Sequence, residues 1–235
     1  MLVDAWHPVT KDLGLIDAPV DQTAAALAEW HAGLGIEYTS RACLSLAEAL
    51  NSLEPLSAEK RRALLLPTNS NWTAFLQSGI AGSDPFPVMS FLSTKLGVQA
   101  MRVCATPNGA KWAAVIWEVY APTELGDEPR PNCRRSVAMS NDGGRWHFSS
   151  SGTPYDFEEQ GAYLKPRKRD RFTREMLERY LAKFDLHPFD DAFYCISADR
   201  PALLMQKALR WSSPPEEYTL EQVVAGAPWS LRRDA

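Results

Sequence analysis

Residues 98–120, VQAMRVCATPNGAKWAAVIWEVY, decide how this chain folds. At their middle stands Asn108-Gly109, and a type I′ turn needs positive φ at both central positions, which Asn followed by Gly tolerates. The stretch is expected to be an antiparallel hairpin, Val98 to Thr106 joined to Lys111 to Tyr120. A two-residue loop sets Arg102 opposite Val115 and near Trp117 on one face, with Glu118 on the other face near Gln99 and Met101. The second strand, WAAVIWEVY, is apolar on both faces, as a central strand covered from both sides is.

Working outward, a Pro-rich loop from Pro122 to Pro131 leads to a second hairpin, Arg134 to Ser140 and Arg145 to Ser150 around Asn141-Asp142-Gly143-Gly144. Its alternation sets Val137, Met139, Trp146 and Phe148 on one face, and Arg134, Ser136, Ala138, Arg145, His147 and Ser149 on the other. On the N-terminal side, Ala63 to Leu66 and Trp72 to Leu76 flank a five-residue loop and read as a further hairpin. Ile36 to Leu44 alternates like a strand. Helices are expected from Asp21 to Leu34, from Leu46 to Leu53 and briefly from Ser57. A better marked one is capped by Asp84, with Pro85 at its first position and Gly97 past its end. Towards the C-terminus, Thr173 caps a helix from Arg174 to Phe184, with Phe172 and Leu177 placed as a hydrophobic staple. A strand near Phe193 to Ile196, a helix from Asp199 to about Trp211, and a capping box at Thr219-Leu220-Glu221-Gln222 complete the order. The sum is an α+β fold in a single globular domain over residues 1–235: a mostly antiparallel sheet built from hairpins, with helices packed on it.

Composition narrows the function classes. The chain has 235 residues, 45% of them hydrophobic, and eight tryptophans, which calls for a dense aromatic core. The residues from Met1 to Trp6 carry Asp4 and no basic region, and no apolar run follows that suits a secretory leader. No stretch approaches the length needed to span a bilayer. Cys43, Cys104, Cys133 and Cys195 lie far apart without metal-ligand or disulfide-framework spacing, which points to reduced thiols and a cytoplasmic setting. A net charge of −4 argues against nucleic-acid binding and makes a basic protein the better partner.

The templates for nucleophile elbows, phosphate loops and zinc hydrolases are all missing, and four histidines are too few for a His-rich site. No cofactor is expected, and a non-catalytic role leads. The partner-binding candidates are Tyr155, Asp156, Phe157, Glu158 and Glu159, where aromatic anchors alternate with acids that would suit a basic surface. The same segment could instead pack its rings onto the domain. The rival reading is an enzyme acting on a small anion through the polar hairpin face, with His147 between small residues and Arg134 and Arg145 as anion ligands. Arg102 with Trp117 and Glu118 is expected to be a structural pairing, including a cation–π contact. The run Lys165 to Arg171 reads as a solvated basic loop, and the glycine-rich segment Trp72 to Pro85 as a structural turn.

The run WTAFLQSGIAGSDPF at residues 72–86, a following helix and apolar strand, and a later meander carrying DGGRWHF at residues 142–148 resemble small α+β proteins of bacteria. Among these are immunity proteins of polymorphic toxin systems, and the resemblance covers residues 63–197 in general layout. It implies a cytosolic chain that binds a toxin domain and blocks its active site. A basic protein toxin is then the expected partner.

Overall fold

The computed structural model describes residues 2–107, 110, 112–123, 132–208 and 215–227. In chain order its elements are α1 (Leu2–Ala5), β1 (Asp12–Ile16), α2 (Val20–Ala32), β2 (Glu37–Cys43), α3 (Leu46–Asn51), β3 (Arg62–Pro67), β4 (Thr73–Gln77) and α4 (Phe86–Leu96). They continue as β5 (Ala100–Ala105), β6 (Ala114–Tyr120), β7 (Cys133–Asn141), β8 (Trp146–Gly152), α5 (Arg174–Leu181), β9 (Ala202–Ala208) and α6 (Leu220–Val224). The strands form one nine-stranded sheet in the order β2-β9-β3-β4-β1-β5-β6-β7-β8, with every neighbouring pair antiparallel. The fold is α+β.

Alternation along the strands makes two cores. Leu13, Leu15, Leu64, Met101, Val103, Trp117 and Val137 point to one face and pack beneath α3, α5 and the short turns between residues 155 and 193. Ile16, Leu65, Phe75, Ala100, Tyr120 and Met205 point to the other, under α2 and α4. A strand buried on both faces reads as a continuous apolar run, as RALLLP and TAFLQ do. The second hairpin keeps the expected faces, with Val137 and Met139 buried while Ser136, Ala138 and Ser149 look the other way.

The first hairpin exists, but its register differs from the expected one. Arg102 pairs with Glu118, and Val115 with Ala105. The Ala110 N–H does meet the Pro107 carbonyl at 3.2 Å, yet Thr106 N–H bonds Ala114 rather than Lys111 (3.0 Å), so the second strand rejoins the ladder three residues late. Pro107 has no N–H to carry the ladder into a tight turn. Asn108 and Gly109 lie outside the described residues, as does most of the Pro-rich loop. Trp117 consequently opposes Val103, on the face away from Arg102, and the expected cation–π contact between Arg102 and Trp117 does not form.

Further expectations are corrected. The helix expected from Asp199 is instead β9, which inserts between β2 and β3. Leu, Met, Gln, Lys and Ala favour helix locally, but pairing with a strand on each side outweighs that preference. Phe193 to Ile196 is not a strand: it holds the end of a 3-10 turn and a single bridge from Tyr194 to Thr68. No short helix starts at Ser57, which bridges Gly79 instead. The caps expected from Asp21 and Asp84 are taken by Pro19 and Pro85, whereas those at Thr173 and Thr219 are made as expected, the latter with a full capping box.

Candidate functional site

The segment 155–159 turns inward. Tyr155 and Phe157 stack on each other (5.1 Å between centroids) and surround Trp117 with Tyr180 and Phe184. Glu158 is buried and paired with Arg135. Asp156 and Glu159 remain at the surface, where Glu159 pairs with Arg179. The alternation that looked like anchors between acids is largely a structural plug: Glu158 is buried, Tyr155 and Phe157 are half-buried against the core, and Asp156 and Glu159 stay exposed. Glu158 also accepts from Tyr163 Oη (2.9 Å), which contacts Tyr180 Oη (3.0 Å). Burial and these bonds raise the Tyr163 hydroxyl far above the usual tyrosine range.

The polar face of β7 and β8 is open. Helices α2 and α4 pack on β1, β3, β5, β9 and β6. Beyond them Ile116, Ser136, Ala138 and Ser140 are half-buried, and His147, Ser149 and Ser151 are exposed. His147 Nε2 lies 2.9 Å from Asp142 Oδ2, with side chains 49% and 59% exposed. That contact, with two backbone donors, holds the Asp142 carboxyl below the usual range. Arg145 shares the loop, donating its N–H to Asp142 Oδ1 (2.9 Å). Arg134 does not join them. A bulge where Tyr120 pairs with Cys133 and Val119 with Arg135 leaves Arg134 out of register, and its guanidinium stacks over the Tyr155 ring at 5.2 Å. The anion site expected from Arg134, Arg145 and His147 is thus split between the two sheet faces. At the tip of the hairpin Trp112, 58% exposed, lies against Gly143, whose φ of +95° and missing Cβ let the ring approach.

No known family, curated protein or solved structure matches this chain.

A buried charge cluster lies near that open face. Arg102 donates to Asp12 from Nε (3.0 Å) and Nη2 (2.6 Å) and sits 3.6 Å from Glu118, which accepts from Tyr120 Oη (2.6 Å). One guanidinium serves two carboxylates here, and burial raises the Asp12 carboxyl above the usual range; the cluster is structural wiring between β1, β5 and β6. Burial of Cys104 beside it pushes the thiol up to about 12, which keeps it protonated and unreactive. The basic run stays at the surface, Arg171 bonding the Lys165 carbonyl (2.7 Å), and the turn at Gly79 and Gly82 is closed by Ser83 bonding to Gln77 and Val9.

Sequence reasoning missed two clefts because each is lined from distant segments. One, of about 380 Å³, gathers Asp4, His7, Lys11, Arg174 and Phe189, with the Arg174 guanidinium 4.6 Å from the Phe189 ring centre. Burial and Lys11 hold His7 below the usual histidine range. The other, of about 340 Å³, is largely apolar, between Pro19, Pro67, Trp72 and Leu203, with Asp21 and Arg200 beside them. Among the described residues no group of three or more His, Cys, Asp and Glu side chains could hold a metal, and no helix is long and apolar enough to cross a membrane.

Proposed function

We propose that this chain is a non-catalytic binding module of the immunity type, which occupies a basic protein toxin with the open face of β6, β7 and β8. The observation that carries this is that face itself: a flat area lined by Ile116, Ser136, Ala138, Ser140, Ser149 and Ser151, with a half-exposed Trp112 at its rim. Small side chains let a partner approach the sheet closely, and an exposed Trp is the residue type most often found to anchor such contacts. The net charge of −4 supports a basic partner and would speed its encounter.

The test is co-purification with the product of the adjacent reading frame. Trp112→Ala and Ala138→Arg, one removing an anchor and the other raising a bulky charge on the flat face, should each abolish the complex, while neutralising Asp156 and Glu159 should only slow association at low salt. A second reading is favoured by the His147–Asp142 contact: a carboxylate-oriented imidazole is the arrangement of a general base. If no complex forms and the purified chain turns over a small molecule in a manner lost in His147→Ala, that enzyme reading replaces the first.

A further inference from the structure

Strand β2 ends the sheet. Among the described residues its one neighbouring strand is β9, and Glu37, Thr39, Ser40, Arg41 and Ala42 are exposed along it. Chains usually blunt such an edge with charged side chains, a proline, a bulge or a covering segment, because unpaired N–H and C=O groups invite another strand, and β2 has only the charges Glu37 and Arg41. At the opposite edge strand, β8, the 168–170 turn packs on one face and Arg171 lies over Phe148. The sequence of β2, EYTSRAC, has no proline and no glycine and pairs without a bulge over seven residues.

The side chains along this edge are complementary to themselves. In an antiparallel pair of two β2 strands centred on Thr39, Glu37 of each copy faces Arg41 of the other, and Tyr38 faces Ser40. Beyond the two ends of the strand stand Leu34, in the turn that closes α2, and Leu44. These two leucines are 62% and 57% exposed, which is unusual for large apolar side chains of this protein. Charge pairing thus selects one register, which is what a two-fold interface demands. Glu37, Thr39 and Arg41 lie on the face with Cys43 and α3, where Arg41 pairs with Glu48 at 3.1 Å.

We propose that the chain forms a two-fold dimer by pairing β2 with β2 of a second copy, joining the two sheets edge to edge with Thr39 on the axis. The mutual Glu37–Arg41 contacts set the register.

The experiment is sedimentation equilibrium of the full chain and of charge variants. The native chain should be a dimer that dissociates on dilution. Glu37→Arg and Arg41→Glu each place like charges opposite one another twice per interface, and each should weaken dimerisation on the order of tenfold or more. An equimolar mixture of these two variants should recover a heterodimer, since one copy then presents two positive charges to the two negative charges of the other. The chain carrying both substitutions should dimerise again, because the exchange leaves opposite charges facing each other. Circular dichroism of each variant guards against unfolding, and recovery on mixing is a result that a merely damaged protein does not give. A native chain that stays monomeric at its highest soluble concentration, a dimer indifferent to both substitutions, or no recovery on mixing would overturn the proposal.

Discussion

Arg135 and Glu158 meet in a bidentate ion pair, Nε to Oε1 at 2.8 Å and Nη2 to Oε2 at 2.5 Å, with side chains 1% and 0% exposed. The pair joins the start of β7, beside its bulge, to the segment that carries Tyr155 and Phe157. Its remaining hydrogen-bonding capacity is filled: Arg135 Nη1 donates to the Ser151 carbonyl (2.8 Å), and Glu158 accepts from the Tyr155 N–H (2.9 Å) and from Tyr163. A buried pair gains little over apolar residues of the same shape, but removing one partner strands a charge in a low dielectric.

Glu158→Ala should therefore cost about 3–5 kcal/mol, the range for breaking a buried pair. The double variant with Arg135→Met should be less destabilised than Glu158→Ala alone, since no unpaired charge remains. Urea unfolding of the two variants checks this, and a loss below about 1 kcal/mol for Glu158→Ala would mean that water reaches the pair.

A second prediction concerns Gly14, in the central strand β1. A Cβ there would lie 2.5 Å from Met89 Sδ and 2.9 Å from Met89 Cγ, so helix α4 rests directly on the glycine. Met89 is fully buried and has no solvent to swing into. Gly14→Ala should destabilise by about 1–3 kcal/mol, the usual cost of overpacking, and should cost less in a Met89→Ala background. Equal costs in both backgrounds would show that the two residues do not couple.

The third prediction is a pH dependence. Burial first, and Lys207 second, hold His31 below its ordinary value of 6.5, and its Nδ1 lies 3.0 Å from the Tyr38 hydroxyl. A histidine whose folded value is depressed binds its proton more readily when unfolded, so its contribution is complete above the unfolded value and is lost as pH falls through the folded one. His7 is shifted in the same direction, by burial and by Lys11. Thermal stability should fall as pH drops below about 6.5, and His31→Gln should flatten part of that slope. A slope identical in the variant would mean that His31 does not sense folding.

Much of this architecture is written locally. The strands β3, β4, β6, β7 and β8 are legible from apolar runs and alternation, α5 from Thr173 with its staple, and α6 from its capping box, because each signal acts within a few residues. Central strand β1 escaped notice: DLGLI is five residues long and interrupted by a glycine whose reason is Met89, far away in sequence. Strand β9 has a composition that favours helix, and only the open place between β2 and β3 makes it a strand.

The candidate sites divide in the same way. That His147 shares a face with Ser136, Ala138 and Ser149 follows from the two-residue period of a strand, which one sequence contains. That Arg134 leaves this face follows from a bulge between two strands, and that Tyr155, Phe157 and Glu158 turn inward follows from the shape of the hollow around Trp117 and Arg135. By itself the sequence determined the fold class, the helix caps at Thr173 and Thr219, and which β7 and β8 side chains go together, since these depend on periodicity and short-range hydrogen bonds. The tertiary structure alone decided strand order, the β5–β6 register and which charges are buried, because those depend on pairings between segments distant in the chain whose free energy no local pattern contains.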